Sequence, residues 1–288
     1  MSSQNYLRKP EWLRVKLPVT EDFIRVERDL DRLHVGTVCR SAKCPNIFEC
    51  FSNKKATFLI LGRVCTRNCG FCSVAKGTPE KVDFQEPERV SEAVSKLGLK
   101  HVVITSVTRD DLDDGGSRHF ASVLVRLKKD HPQSTVEVLV PDFQGSRNAV
   151  DRVLEAGPDV FGHNLETVKR LYPRIRPKAD YDASLSILNY AGKKAPQMRV
   201  KTGIMAGLGE EEKDILGALR DISDSGCQIV TIGQYLRPSK DNLTVKDYIR
   251  PEKFQEYQEA GKEMGLVMYC GPLVRSSYHA EDLFLKNE

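Results

Sequence analysis

Six short runs rich in β-branched and apolar residues recur along the middle of the chain: ATFLILG (56–62), HVVITSV (101–107), TVEVLV (135–140), DVFGHNL (159–165), RVKTGIMAG (199–207) and IVTIGQY (229–235). Between them lie longer stretches whose apolar residues return every three or four positions, such as PERVSEAVSKLGL, SRHFASVLVRLKKD, SRNAVDRVLEAG and EEEKDILGALRDISDSG, with the shorter TVKRLY and DYDASLSILNYAGKKA. Short apolar, β-branched runs that alternate with amphipathic stretches of helical period predict repeated βαβ units and a parallel sheet. Gly98, Gly157 and Gly226 follow three of the helical stretches, where a left-handed C-terminal cap is expected. The periodicity fits a doubly wound sheet or an arc of six β/α repeats equally well. In either fold a ligand is expected at the carboxyl ends of the strands. Polar residues collect there: Thr105, Ser106, Arg109 to Asp111, His163, Asn164 and Gln234.

Composition narrows the class without changing that outline. The 288 residues are 40% hydrophobic and 29% charged, with a formal charge of +4. A chain of this length buries a core without covalent help. It contains no run of eighteen apolar residues, so a membrane span is not expected. The N-terminus MSSQNYLRKPEWLRVKLPVTEDF lacks the apolar centre of a secretory signal, and a cytosolic location follows.

Chemistry enters with CRSAKCPNIFECFSNKKATFLILGRVCTRNCGFC, which holds six of the chain's eight cysteines between Cys39 and Cys72. Reduced cytosolic conditions make disulfides the weakest explanation. The run divides into two triplets, Cys39-x4-Cys44-x5-Cys50 and Cys65-x3-Cys69-x2-Cys72. Structural zinc takes four ligands, usually as two pairs, and neither triplet has a histidine placed to complete a set; His34 reads as a loop or helix residue. Three thiolates suit a [4Fe–4S] cubane with one iron left for another ligand. The second triplet follows the first strand directly, which puts it at the mouth of the sheet.

Cys65-Thr-Arg-Asn-Cys69-Gly-Phe-Cys72 resembles the cluster loop of radical S-adenosylmethionine (SAM) enzymes, and Cys39-Arg-Ser-Ala-Lys-Cys44-Pro-Asn-Ile-Phe-Glu-Cys50 resembles the auxiliary-cluster motif of the lipoyl synthase family. The similarity runs in one order through LRKPEWLRVKLP, EPERV, VITSVTRDDLDDGGSRHF, HNLETVKRLYPRIRP, TGIMAGLGE, IGQYLRPS and GPLVRSSYHA, over residues 7 to 280. The chain departs from the family in Arg40 and Ser41, where acidic residues are common, and in RPSKDNLTV, which lacks a histidine that many members carry.

The resemblance implies an α/β fold, a partial (β/α)6 TIM-like barrel over residues 56–250. It also implies an N-terminal extension, 1–55, that carries the auxiliary cysteines, and a C-terminal helix and lid, 251–288, that carry Arg275-Ser-Ser-Tyr278. It implies two [4Fe–4S] clusters, one on Cys65, Cys69 and Cys72 and one on Cys39, Cys44, Cys50 and Ser277, with Arg275 beside the auxiliary cluster or substrate. S-adenosylmethionine would meet Ser106, Asn164, Glu166, Lys201 and Met205. The implied reaction inserts two sulfur atoms at C6 and C8 of an octanoyl-lysine on a lipoyl carrier domain, either an E2 subunit or the glycine cleavage H protein. The auxiliary cluster would donate the sulfur, and ferredoxin or flavodoxin would donate electrons. No nucleic-acid or membrane partner is implied. Two alternatives stand beside this reading: another auxiliary-cluster radical SAM enzyme such as a methylthiotransferase, which would need an RNA-binding module for which the chain has no spare segment, and a non-catalytic zinc module. Cys227 and Cys270 fall outside both motifs and read as buried apolar cysteines.

Overall fold

The computed structural model describes residues 7–15, 18–278, 280 and 281. A short 3-10 turn at Glu11–Leu13 precedes helix α1 (Glu21–Arg32), which starts where the Thr20 hydroxyl accepts from the Phe23 amide. Helix α1 buries Phe23, Val26 and Leu30, and Phe23 stacks on Phe48 with ring centroids 5.1 Å apart. That contact fastens α1 to α3 (Ile47–Ser52), which follows the single-turn α2 (Val38–Ser41). The auxiliary cysteines therefore ride on a helical extension with its own aromatic anchor.

The barrel begins at β1 (Thr57–Ile60); β2 (Val64–Cys65) and β3 (Ala75–Lys76) then pair with each other on either side of the Cys69–Cys72 loop. Next come α4 (Glu86–Leu97), β4 (His101–Ser106), α5 (Ser117–Asp130), β5 (Thr135–Leu139), α6 (Arg147–Glu155) and β6 (Val160–Gly162). After them follow α7 (Tyr172–Ile175), α8 (Tyr181–Lys194), β7 (Arg199–Ala206), α9 (Glu212–Asp224), β8 (Ile229–Gln234), α10 (Pro251–Glu263) and β9 (Val267–Gly271). Among the described residues seven strands pair in the order β1-β4-β5-β6-β7-β8-β9, all parallel, and form an open arc with β1 and β9 as its edges. Strands sandwiched between helices and an interior are buried on both faces, hence their near-continuous apolar sequences. Phe58, Ile60, Ile104, Val136, Val138 and Phe161 all lie in that core.

All six expected strands are present. The seventh, β9, was not expected: the segment after residue 250 supplies a complete helix–strand unit before the tail begins. TVKRLY forms a 3-10 turn running into the single-turn α7 rather than a longer helix, because Pro173 has no amide to extend one. Gly98, Gly157 and Gly226 all adopt the expected positive φ at helix ends.

The extension and the tail meet between the open edges. The Leu59 amide donates to the Gly36 carbonyl at 2.9 Å, which docks the extension on β1. The Val274 carbonyl lies so near Gly233 of β8 that a Cβ there would be 2.0 Å from it, which docks the tail on the other side. Asn46 Nδ2 donates to the Leu273 carbonyl at 2.7 Å and joins the two pieces.

Candidate active site

The Cys65–Cys72 loop is held from three sides. The Thr66 amide donates to the Thr108 carbonyl at 3.1 Å, and the Gly70 amide to the Ile175 carbonyl at 3.0 Å. Asn242 Nδ2 reaches the Cys72 carbonyl at 2.9 Å, and the Leu243 amide donates to the Gly70 carbonyl at 3.0 Å. Position 70 needs glycine for that approach, since a Cβ would sit 2.8 Å from the Leu243 side chain. Within the loop, the buried Arg67 donates Nε to Asp110 at 2.7 Å and Nη2 to Asp142 at 2.6 Å. Burial works against its charge, but the two carboxylates hold the guanidinium well above its ordinary pKa. The loop is thereby tied to the ends of β4 and β5.

Cys65, Cys69 and Cys72 line a cavity of about 340 Å³ together with residues from the strand mouths: Ser106 at the end of β4, His163 and Asn164 after β6, Met205 on β7 and Gln234 on β8. Burial raises the Cys72 thiol to about 11, and the neighbouring Cys69 and Cys65 add to the shift. Burial also raises Cys69, partly offset by Arg176. Such thiols give up their protons only to something that binds the thiolate.

The rest of this cavity is built for a polar ligand. Ser106 Oγ, His163 Nε2 and Asn164 Oδ1 are buried and have no hydrogen-bond partner among the described residues. His163 Nδ1 contacts the Val140 carbonyl at 2.8 Å; a carbonyl only accepts, so that nitrogen carries the proton and Nε2 is an acceptor. Burial, reinforced by Arg176, lowers His163 to about 4 and keeps the ring neutral. Gly203 leaves a cleft that a Cβ would close, 2.8 Å from Thr231 Oγ1 and 3.0 Å from Asn164 Oδ1. Glu166 adopts a left-handed φ of 67° and bridges β7, its amide donating to the Gly203 carbonyl and its carbonyl accepting from the Met205 amide. Arg176 braces the same turn with bonds to the Asn164 and Leu165 carbonyls. Unsatisfied acceptors around a glycine cleft, next to three thiols, fit S-adenosylmethionine bound beside a cubane.

A second cavity, of about 650 Å³, is lined by Cys39, Cys44, Cys50, Thr57, Arg275 and Ser277 among others. Cys39, Cys44, Arg275 and Ser277 border both cavities, so the two sites are neighbours. Burial pushes Cys39 and Cys50 up to about 12, and the mutual proximity of the three thiols contributes. Arg275 has its guanidinium lowered by burial, while Cys44 and Glu166 counter that shift. Ser276 turns the other way and accepts from Asn164 Nδ2 at 2.7 Å. Tyr278 donates to Glu49 at 2.9 Å and Lys55 pairs with Glu281 at 3.2 Å, so the tail is clasped across the auxiliary site. Thiolates sharing one zinc at about 2.3 Å each must lie within about 4 Å of one another. Among the described residues no three His, Cys, Asp or Glu side chains are grouped to hold a single metal ion.

The structure does not bring Lys201 to this site. It pairs with Glu137 at 2.8 and 3.0 Å in the barrel interior, where both side chains are almost fully buried, and it lines neither cavity. Lys201 shares a strand face with Gly203 and Met205 but lies one to two residue pairs nearer the strand's N-terminal end. Arg67, Arg176 and Asp142 were not singled out by sequence reasoning, and Asp110 only as one of the polar residues that follow a strand. Arg67 and Asp142 are 75 positions apart, and only the fold joins them. Cys227 is buried, with its thiol 3.4 Å from the Val200 carbonyl, and Cys270 lies on β9; neither lines either of these two cavities.

Comparison with known proteins agrees with this geometry. The radical SAM superfamily model matches residues 59–222. A lipoyl synthase of Caldanaerobacter subterraneus subsp. tengcongensis is 53% identical over 276 residues, covering 96% of each chain. One from Nitratidesulfovibrio vulgaris is 50% identical over 284 residues, covering 98% of this chain and 95% of its own. Among solved structures, methylornithine synthase superposes with a TM-score of 0.55 at 14% identity, covering 88% of this chain and 75% of its own. The [FeFe]-hydrogenase maturase HydG gives 0.56 at 15%, covering 86% and 67%. These distant structures share the fold.

Proposed function

The chain belongs to the lipoyl synthases of the radical SAM superfamily, and we propose that it builds the lipoyl group by inserting sulfur at C6 and C8 of an octanoyl-lysine held on a lipoyl carrier domain. It is a sulfur-inserting enzyme that uses S-adenosylmethionine and [4Fe–4S] clusters. Carbons 6 and 8 carry hydrogens that no acid or base removes at useful rates, so the bound cofactors supply the radical chemistry and the sulfur.

The chain's own residues bind, orient and enclose. Cys65, Cys69 and Cys72 would hold one cluster on the pinned loop, and that cluster, when bound, would supply the electron that cleaves S-adenosylmethionine. Ser106, Asn164 and Glu166 offer polar contacts to it, and the Gly203–Met205 edge of β7 receives its adenosine part. Cys39, Cys44 and Cys50 hold the second cluster, with Ser277 as the fourth ligand. A serine oxygen is a harder donor than thiolate and a weaker partner for iron–sulfur chemistry, so Ser277 would be the most weakly held of the four ligands. Arg275 offsets the negative charge that thiolates bring to a buried cavity. The substrate is a lipoyl carrier; the E2 subunit and the glycine cleavage H protein are the carriers we propose, ferredoxin or flavodoxin the reductant, and the cytoplasm the location. Among the described residues no helix is long and apolar enough to cross a membrane.

One observation carries the residue assignment: Ser277 borders the cavity lined by all three auxiliary cysteines, while Ser276 is engaged by Asn164. Ser277→Ala and Ser276→Ala separate the two. With octanoylated carrier domain under anaerobic conditions, Ser277→Ala is expected to lose lipoyl product while still cleaving S-adenosylmethionine, and Ser276→Ala to retain most product. Full product formation by Ser277→Ala would overturn the ligand assignment.

A further inference from the structure

We infer that the outer face of the Cys65–Cys72 loop, formed by residues 172–178 and 236–250, is the docking surface for an acidic one-electron carrier protein. The inference deepens the functional reading above, because reductive cleavage of a sulfonium consumes one electron, which must reach the loop from outside the chain.

Charge is concentrated at this face. Segments 172–178 and 236–250 hold seven Lys and Arg against two Asp, a net +5 in 22 residues, whereas the whole chain is only +4. The remaining 266 residues therefore sum to −1. Arg176 turns inward, but Arg174, Lys178, Lys240, Lys246 and Arg250 are exposed. Among the described residues, Arg174 and Lys178 donate to the carbonyls of Leu208 and Thr66 rather than to carboxylates, which leaves their charge uncompensated. Lys240 and Lys246 have no ion pair among the described residues.

The same two segments touch the loop. The Ile175 carbonyl accepts from the Gly70 amide at 3.0 Å, and Lys178 Nζ lies 3.3 Å from the Thr66 carbonyl. From the other segment, Asn242 reaches the Cys72 carbonyl at 2.9 Å and the Leu243 amide reaches Gly70 at 3.0 Å. Both segments therefore pack directly against the loop. Electron transfer falls steeply with distance, so a donor gains most by docking where the covering layer is thinnest. None of Arg174, Lys178, Lys240, Lys246 and Arg250 lines either cavity. A positive patch of this kind speeds encounter with a negative partner by roughly 10- to 1,000-fold at low salt.

The test uses the full, cluster-loaded chain and the double variant Lys240→Glu/Lys246→Glu, whose altered side chains touch neither cavity nor loop. The probes are reduced ferredoxin, an acidic iron–sulfur carrier, and dithionite, a small chemical reductant. At low ionic strength the variant is expected to bind ferredoxin at least about 10-fold more weakly by titration calorimetry and to be reduced by it correspondingly slowly. Its reduction and S-adenosylmethionine cleavage with dithionite are expected to match the parent. Raising the salt from about 0.05 to 0.5 M should weaken ferredoxin binding to the parent far more than to the variant, since screening shortens the reach of exposed charges. Unchanged ferredoxin binding in the variant would overturn the inference. So would a raised KM for octanoylated carrier domain with dithionite as reductant, which would assign the patch to the carrier. Failure of both proteins to cleave S-adenosylmethionine with dithionite would instead count against the enzymatic reading itself.

Discussion

Lys201→Met is expected to cost stability rather than cofactor affinity. The ammonium lies 2.8 and 3.0 Å from the two oxygens of Glu137, and both side chains are 2–3% exposed. His101 Nε2 lies 3.4 Å from the same carboxylate. Burial opposes the charge on Glu137, yet the Lys201 ammonium and then His101 hold it below the usual carboxylate range. Removing one member of such a buried pair leaves an uncompensated charge, at a cost of about 3–5 kcal/mol. Replacing both, as in Lys201→Met/Glu137→Leu, should return most of that, because a packed apolar pair of similar volume is often close to neutral. The sign with pH follows from Glu137. Its depressed folded pKa contributes stability above the ordinary glutamate range, and that contribution is lost as pH falls through the folded value. In Lys201→Met the isolated carboxyl takes up a proton instead, so the gap between parent and variant should shrink as pH is lowered toward about 4. Urea denaturation of parent, both single variants and the double variant gives the coupling directly, and calorimetric titration gives S-adenosylmethionine affinity. An unchanged urea midpoint together with a tenfold loss of that affinity would refute the reasoning and return Lys201 to the cofactor site.

Two further outcomes follow from the site. Cys69→Ala should abolish S-adenosylmethionine cleavage while leaving the auxiliary cluster in place, and Cys44→Ala should do the reverse, cleaving without giving product; iron analysis and product chromatography distinguish them. His163 is held at about 4 against an ordinary value near 6.5, so the unfolded chain takes up a proton between those values that the folded chain refuses. Folding stability should therefore rise from pH 4 to 6.5, by up to roughly 3 kcal/mol from this residue, and the same scan on His163→Gln should lack that component.

The strands were legible because buried parallel strands need apolar, β-branched residues whatever lies around them. Strand β9 escaped notice because it is a half-exposed edge strand that includes Cys270 and Gly271, and its pattern is weak. The cluster cysteines were legible because ligand chemistry demands those residue types at short spacing. Lys201 was misplaced for a geometric reason: alternation reports which face of a strand a residue occupies but not its height along the barrel. Each residue rises about 3.3 Å, so Lys201 lies about 13 Å below Met205 on the same face. The Arg67 network was invisible because its partners are 43 and 75 positions away. A lone arginine between two cysteines shows no sign of which carboxylates will meet it.

The central claim is that the chain carries two clusters and gives up one as sulfur. Protein reconstituted with heavy sulfide (sulfur-34) and allowed a single round with octanoylated carrier domain tests this by mass spectrometry of the lipoyl product. The account predicts two heavy sulfurs per lipoyl group, no more than one lipoyl group per chain, and loss of the Cys39/Cys44/Cys50 cluster's iron while the Cys65/Cys69/Cys72 cluster survives. Light sulfur in the product, or full product from Cys44→Ala, would contradict it.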